Sequence, residues 1–125
     1  DSKIILINSY GNLPKYFSKS DIVILGGAFS KNGGHNPIEP ALFNCAIISG
    51  KYMFNWQNIY EEMLREKACY ISKDILELQN YAESLINDKN MLIIAKKNAL
   101  NFTNKSFFDK NKLKDIINDS LLDNA

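Results

Sequence analysis

Four short runs of consecutive apolar residues divide the first part of the chain. They occupy residues 3–8 (KIILIN), 21–25 (DIVIL), 45–49 (CAIIS) and, more weakly, 68–71 (ACYI). Continuous rather than alternating apolar residues are typical of strands that are covered on both faces, as in a parallel sheet. The pattern therefore predicts four buried parallel strands.

Helical patterns lie between these strands. Residues 13–19 form a short one, and residues 37–43 form another. Residues 55–67 carry apolar side chains at the i, i+3, i+4, i+7 spacing of one helix face. These side chains are Trp56, Ile59, Tyr60, Met63 and Leu64. The order β-α-β-α-β-α-β predicts an α/β fold, a Rossmann-like parallel sheet with flanking helices and right-handed crossovers.

The chain becomes helical after residue 72. Asp74 is placed to cap a helix in which Ile75, Leu78, Ala82, Leu85 and Ile86 keep helical spacing. Residues 90–104 and 109–122 predict two more amphipathic helices. Their apolar positions again recur at three- and four-residue intervals, so each helix has one face to bury.

Composition sets broad limits on function. The chain has 125 residues, which suits one domain, and its 46% apolar and 23% charged residues are ordinary for a globular protein. A net charge of +1 gives no electrostatic case for binding nucleic acid or an anionic membrane. Cys45 and Cys69 lack metal-ligand spacing and His35 is the single histidine, so we expect no metal.

One loop contains many of the chain's glycines, which permit unusual backbone angles, and prolines, which restrict them. Residues 26–40 read GGAFSKNGGHNPIEP and follow the predicted strand that ends at Leu25. Ligands of open α/β sheets bind outside the carboxyl ends of the strands. The pairs Gly26–Gly27 and Gly33–Gly34 let the backbone turn sharply and approach a ligand. This loop is therefore the candidate binding site.

The end of the loop predicts a helix with an exposed amino terminus. Asn36 is a good N-cap and Pro37 fits the first helical position, so free N–H groups would face the crevice and bind a phosphate or carboxylate. His35 is placed to donate a hydrogen bond to an anion, and Glu39 to accept hydrogen bonds from sugar hydroxyls. A His35–Glu39 acid–base pair and a purely structural loop remain open on these residues alone.

The loop also carries a family resemblance. The string GG-x-F-x(3)-GGHNPIEPA, followed by an apolar strand, a glycine and MFNW at residues 53–56, resembles the carboxyl-terminal domain of 3-deoxy-D-manno-octulosonic acid (Kdo) transferases. The earlier YGNL at residues 10–13 is similar to that family's preceding segment, although Asn12 stands where the family has an acidic residue. The similarity reaches to about Ile71.

The resemblance implies a donor-binding role. It implies a two-domain GT-B glycosyltransferase that moves Kdo from CMP-Kdo to a lipid A precursor in lipopolysaccharide biosynthesis, with inversion and without a metal. It implies an enzyme at the cytoplasmic face of the bacterial inner membrane. The residues that match the donor motif and its supporting positions are Gly33, Gly34, His35, Asn36, Glu39, Gly11, Gly26, Gly27 and Asn55.

The same resemblance predicts a partial domain. Residues 1–125 would be the later part of the nucleotide-sugar-binding domain, with the amino-terminal acceptor domain absent. That missing domain would provide the membrane anchor, the lipid acceptor site and the catalytic carboxylate, so we expect no catalytic residue in this chain and no activity from it alone. An open sheet edge at residues 3–8 would also favour self-association of a soluble fragment.

Two alternatives remain, one of which is another enzyme and the other a protein of a different functional class. The loop suits the donor-binding part of a different GT-B enzyme, such as a UDP-sugar transferase or an epimerase. It also suits a non-catalytic α/β module whose loop contacts a protein partner. Selectivity between CMP and UDP separates the first alternative from a Kdo transferase. Nucleotide binding of any kind separates a Kdo transferase from the second alternative.

Overall fold

A computed structural model describes residues 4–7, 16–25 and 36–105. These residues contain a four-stranded parallel sheet in the order β1-β2-β3-β4. The strands are β1 (Ile4–Ile7), β2 (Ile22–Leu25), β3 (Ala46–Gly50) and β4 (Tyr70–Ser72). All four predicted strands are confirmed, with ends displaced by one or two residues.

The helices follow the predicted order as well. Tyr16 and Phe17 are helical, within the first predicted helix. The remaining helical elements are α1 (Ile38–Leu42), a 3-10 turn (Phe54–Trp56) that leads directly into α2 (Gln57–Arg65), α3 (Ile75–Asn87) and α4 (Lys89–Thr103). The helix predicted for residues 109–122 lies outside the described residues.

The sheet buries a separate apolar cluster on each face. Alternate residues of a strand point to opposite faces, so Val23 and Ile47 belong to one cluster, and Ile24 and Ile48 to the other. Side chains of α1, α2 and the end of α4 cover the first face. Side chains of α3 and the start of α4 cover the second. Covering both faces explains why β2 is apolar throughout and why β3 begins with three apolar residues.

Aspartates cap the two long helices. Asp74 Oδ1 accepts a hydrogen bond from the Glu77 N–H (2.8 Å), as predicted, and Asp88 Oδ1 accepts one from the Met91 N–H (3.1 Å). Each cap satisfies an amide that the first turn of a helix leaves without a partner. The caps therefore define where α3 and α4 begin.

The apolar stripe predicted for α3 is only partly buried. Leu85 is inaccessible to solvent, whereas Ile75 is 64% exposed and Ile86 is 44% exposed. On α2, Tyr60 and Met63 are fully buried but Leu64 is 43% exposed. These helices each meet the sheet along a narrower line than the spacing predicts, so the outer members of each stripe face solvent.

Candidate functional site

The predicted site falls partly within the described residues. Gly11, Gly26, Gly27, Gly33, Gly34 and His35 lie outside them, and their assignment stays a prediction. Asn36 and Glu39 lie at the start of α1, and Asn55 lies in the 3-10 turn before α2. Because β2 and β3 are adjacent and parallel, the connections that follow them leave the same carboxyl edge of the sheet. The fold therefore brings the described site residues to one edge.

Asn36 caps α1 from one residue further out than predicted. The helix begins at Ile38, so Pro37 takes the N-cap position, with helical backbone angles and no side-chain capping bond. Asn36 Oδ1 instead accepts a hydrogen bond from the Ile38 N–H (2.9 Å). The capping chemistry expected of Asn36 is present all the same.

The amino terminus of α1 has few amides to offer an anion. Pro37 and Pro40 have no N–H, and the Ile38 amide is already bonded to Asn36. Three of residues 37–40 therefore have no amide hydrogen to offer a ligand. A helix of five residues also adds few aligned peptide dipoles. The picture of several free helix amides facing a phosphate is therefore wrong for α1, because prolines that suit the start of a helix also remove amide hydrogens from it.

Glu39 is held in a buried setting. Its exposed fraction is 6%, and its neighbours Ile38 and Ala41 are 2% and 0% exposed. The end of α4 belongs to the same apolar cluster as Ala41, through Ala99 and Phe102. This packing fixes α1 against the first face of the sheet. A carboxylate in this position can meet a ligand only at the small part of its surface that remains accessible.

Asn55 lies in an open, amide-rich recess. Its side chain is exposed, and the turn that carries it is closed by a hydrogen bond from the Trp56 N–H to the Met53 carbonyl (2.9 Å). A shallow cavity of about 220 Å³ surrounds the turn. Its lining residues are Phe54, Asn55, Trp56, Gln57, Asn58 and Ile59. Amides of this kind can both donate and accept hydrogen bonds to hydroxyl groups.

A group of buried hydroxyls escaped the sequence analysis. Ser49 and Ser72 lie near or at the carboxyl ends of β3 and β4, and neither is accessible to solvent. Ser72 Oγ donates a hydrogen bond to the Ser49 carbonyl (3.2 Å). Tyr60, predicted only as part of an apolar stripe, is equally inaccessible to solvent, and burial raises the pKa of its hydroxyl. No sequence signal distinguishes these hydroxyls from ordinary strand and helix residues.

The cysteines are structural. Burial raises the pKa of the Cys45 thiol to about 12, although the Lys96 ammonium acts in the opposite direction, and burial raises the pKa of the Cys69 thiol to about 12. Cys45 Sγ instead donates to the carbonyls of Phe17 and Ser20, both at 3.3 Å. Neither thiol is suited to act as a nucleophile or metal ligand at neutral pH. Across residues 4–7, 16–25 and 36–105, no three His, Cys, Asp or Glu residues form a metal-binding group.

Curated relatives of the chain are glycosyltransferases. The chain is 36% identical over 110 residues to a bifunctional glycosyltransferase/methyltransferase of Fusobacterium nucleatum, a match that spans 88% of this chain and 16% of the relative. It is 33% identical to the Kdo transferase of Haemophilus influenzae, over 71% of this chain and 21% of the relative. It is 35% identical to that of Rickettsia typhi, over 79% and 22%. The chain thus spans about a fifth of these relatives, and no protein-family model matches it.

A solved structure has the same fold. The C-terminal CMP-Kdo-binding domain of WaaA from Acinetobacter baumannii matches with a TM-score of 0.72 and 24% identity, over 79% of this chain and 52% of that one. In the parts of this chain that the structure describes, no helix has the length and apolar character needed to cross a bilayer. The resemblance carried by GGHNPIEP is confirmed: the chain is a relative of the Kdo transferases and folds like part of a donor-binding domain from that family.

Proposed function

We propose that this chain supplies the donor-binding part of a Kdo transferase. The whole enzyme would move Kdo from CMP-Kdo to a lipid A precursor in lipopolysaccharide biosynthesis. The observation that carries the proposal is the 33–35% identity to two Kdo transferases over more than two thirds of this chain. The fold supports it, because α1 and the turn with Asn55 both follow the carboxyl edge of a parallel sheet, where such folds bind ligands.

The donor phosphate is assigned to the loop rather than to the helix. Gly33 and Gly34 would offer backbone N–H groups. The phosphate could come close to these groups because glycine has no side chain. His35 would add an imidazole N–H. Since two prolines and Asn36 leave α1 with at most one amide for a ligand, the donors that come before it carry the phosphate.

The sugar and ribose hydroxyls are assigned to the polar side chains further along. The Glu39 carboxylate would accept hydrogen bonds from hydroxyl groups, and Asn36 would hold the start of α1 in place. Asn55 would contact the donor from the neighbouring connection after β3. Gly11, Gly26 and Gly27 would let the backbone pass close to the ligand. Burial of Glu39 supports this role, because a carboxylate already withdrawn from water loses little hydration when a ligand covers it.

The complete enzyme would have two domains in the GT-B arrangement. Residues 1–125 would form part of the second domain, and the first would bind the lipid acceptor at the cytoplasmic face of the inner membrane. We propose an inverting, metal-free transfer whose catalytic carboxylate belongs to the first domain. This chain alone would then show no turnover with CMP-Kdo and lipid acceptor, and turnover above background would contradict that assignment.

Self-association of the chain follows from the same picture. Within the described residues, β1 pairs with β2 on one side, and its other side is an edge of the sheet. Ile4 of this edge strand is 39% exposed. An unpaired strand edge is a template for pairing with another chain. Light scattering at rising concentration should show a mass above that of the monomer. A constant monomer mass would contradict self-association without bearing on donor binding.

Substitution of the motif residues tests the proposed site. Glu39→Ala and His35→Ala should each weaken CMP-Kdo binding at least tenfold while the far-UV circular dichroism stays unchanged, because each removes one charge-assisted or polar contact. Glu83→Ala is the matched control, since Glu83 is exposed on α3, which covers the opposite face of the sheet. Equal affinity in all four proteins would overturn the site.

A broader alternative is a different glycosyltransferase. The match to the bifunctional glycosyltransferase/methyltransferase covers 88% of this chain and favours the general class without naming a donor. The nucleotide that binds separates a UDP-sugar enzyme from a Kdo transferase, because the former would bind UDP and the latter CMP.

A further inference from the structure

Two adjacent isoleucines of α4 point away from the core. Ile93 is 60% exposed and Ile94 is 58% exposed. Successive residues of a helix are about 100° apart around its axis, which places both on the side opposite the buried stripe of the same helix. That stripe consists of Leu92, Ala95, Ala99 and Phe102. Packing of α4 in the fold therefore does not explain why isoleucine occupies either position.

Lysines flank the isoleucine pair. Lys89, Ile93 and Lys97 follow one another at four-residue intervals, so they share one row on the helix surface. Both lysine side chains are exposed. The ion pairs found in residues 4–7, 16–25 and 36–105 involve other basic side chains. The ammonium groups of Lys89 and Lys97 are therefore available to meet an anion.

Charge is segregated between the two long helices. Helix α4 contains three lysines and no acidic residue, whereas α3 contains two glutamates and no basic residue. The net charge of +1 for the whole chain therefore conceals a local basic surface on α4.

Exposed aliphatic side chains between lysines suit an anionic lipid surface. The aliphatic groups can enter the headgroup layer, while the lysine stems lie beside them and carry the ammonium groups to the lipid phosphates. A protein partner is less well matched, because lysine is depleted in protein–protein interfaces. The charge of this surface therefore favours a bilayer as its occupant.

We propose that the outer face of α4, formed by Lys89, Ile93, Ile94 and Lys97, lies on an anionic lipid bilayer. The isoleucines enter the interfacial layer, and the two ammonium groups pair with lipid phosphates. The inference goes beyond donor binding and does not depend on it, because no residue of the proposed donor site belongs to this face. The two functions can therefore be tested separately.

Sedimentation of the chain with lipid vesicles tests the inference. Vesicles of mixed phosphatidylcholine and phosphatidylglycerol should bind the chain about tenfold more tightly than vesicles of phosphatidylcholine alone, because only the mixed vesicles are negatively charged. Combining Ile93→Gln with Ile94→Gln should weaken binding to the mixed vesicles at least tenfold, since two aliphatic groups no longer enter the lipid. Far-UV circular dichroism should stay unchanged, because both positions are exposed.

The start of α3 offers a matched control. Ile75 and Leu76 are 64% and 66% exposed, but they lie between Asp74 and Glu77 rather than between lysines. Combining Ile75→Gln with Leu76→Gln removes a similar amount of exposed apolar surface. Because acidic neighbours repel an anionic bilayer, this variant should bind the mixed vesicles within about twofold of wild type.

Substitution of the lysines tests the electrostatic part of the inference. Combining Lys89→Gln with Lys97→Gln should weaken binding to the mixed vesicles about tenfold and make the remaining binding less sensitive to added salt. Unchanged affinity in this variant would contradict the pairing of the lysines with lipid phosphates.

Three outcomes would overturn the inference. They are no binding of the wild-type chain to mixed vesicles, equal binding by the variant with glutamine at positions 93 and 94, and a dimer of the chain that this variant dissociates. The last result would assign the face to a second copy. CMP-Kdo binding should be the same in this variant and in wild type, so failure of donor binding and failure of vesicle binding are distinguishable.

Discussion

At the scale of single residues, two prolines change how the motif works. GGHNPIEP resembles an anion-binding loop followed by a helix, and the structure shows the helix, which begins two residues after Asn36. The helix itself offers little to an anion, because Pro37 and Pro40 lack amide hydrogens and Asn36 occupies the Ile38 amide. The glycines and the histidine ahead of α1 therefore become the proposed phosphate ligands, while α1 presents Glu39.

The cap that Asn36 provides is testable by stability. Asn36→Ala should lower the free energy of unfolding by about 1 kcal/mol, because the Ile38 amide loses its acceptor. Asn36→Asp keeps a side-chain oxygen at the same place and should retain most of the stability. Urea denaturation followed by circular dichroism measures both variants, and equal midpoints for Asn36→Ala and wild type would remove the cap.

Residue roles could be predicted from the sequence only where residue type restricts chemistry. The resemblance predicts donor-binding roles for Asn36, Glu39 and Asn55, and the glycine pairs predict the loop, and these roles stay predictions. The hydrogen bond from Ser72 to the Ser49 carbonyl was missed, because a serine in an apolar strand carries no sign of the neighbour that it meets. Such pairings depend on the strand register, which composition does not give.

At the scale of elements, continuous apolar runs predicted the strands well. A strand covered on both faces favours apolar side chains along most of its length, so a continuous apolar run marks it, although β3 and β4 also hold the buried Ser49 and Ser72. The helix stripes were less reliable. Ile75 and Ile86 on α3 keep helical spacing yet remain exposed, because spacing identifies an amphipathic face but not how wide a strip the neighbouring sheet covers.

Helix α4 connects the two faces of the molecule. Its first half, through Leu92 and Ala95, belongs to the cluster that includes α3, and its second half, through Ala99 and Phe102, to the cluster that includes α1. An ion pair between Lys96 and Asp21 (2.8 Å) joins its middle to the residue before β2. Helix α4 therefore packs against α1 and helps to fix the position of Glu39.

Two substitutions on α4 should show this division. Phe102 is 1% exposed beside α1, and Phe102→Ala should lower the free energy of unfolding by about 3–5 kcal/mol through loss of burial and a residual cavity. Ile93 is 60% exposed, and Ile93→Ala should change it by less than about 0.5 kcal/mol. Chemical denaturation of both variants provides the comparison, and similar losses in the two would contradict the assigned packing.

At the scale of the whole molecule, stability should depend on pH through the buried thiols. Burial raises the pKa of Cys45 and of Cys69 from 9.0 to about 12, so the folded state disfavours both thiolates. The stabilisation is fully present below the unfolded pKa and is lost as pH rises from about 9 towards 12. Between these pH values, each thiol should lower the free energy of unfolding by about 1.4 kcal/mol per pH unit.

Urea denaturation between pH 8 and pH 11 measures this dependence. Cys69→Ala should make the free energy of unfolding fall less steeply with pH, by the contribution of one thiol. This holds whatever the effect of the substitution on stability at pH 8. The folded protein at pH 8 should also resist thiol reagents that label both cysteines once it is unfolded. Rapid labelling of the folded chain would contradict the burial of the thiols.

The central claim is that the chain binds a CMP-sugar donor, and calorimetric titration with CMP and with UDP tests it most directly. The account predicts heat of binding for CMP, at least tenfold weaker binding for UDP, and a loss of the CMP signal in Glu39→Ala. Equal affinity for the two nucleotides would favour another glycosyltransferase. Absence of binding by either nucleotide, with the circular dichroism of a folded α/β protein, would contradict the claim.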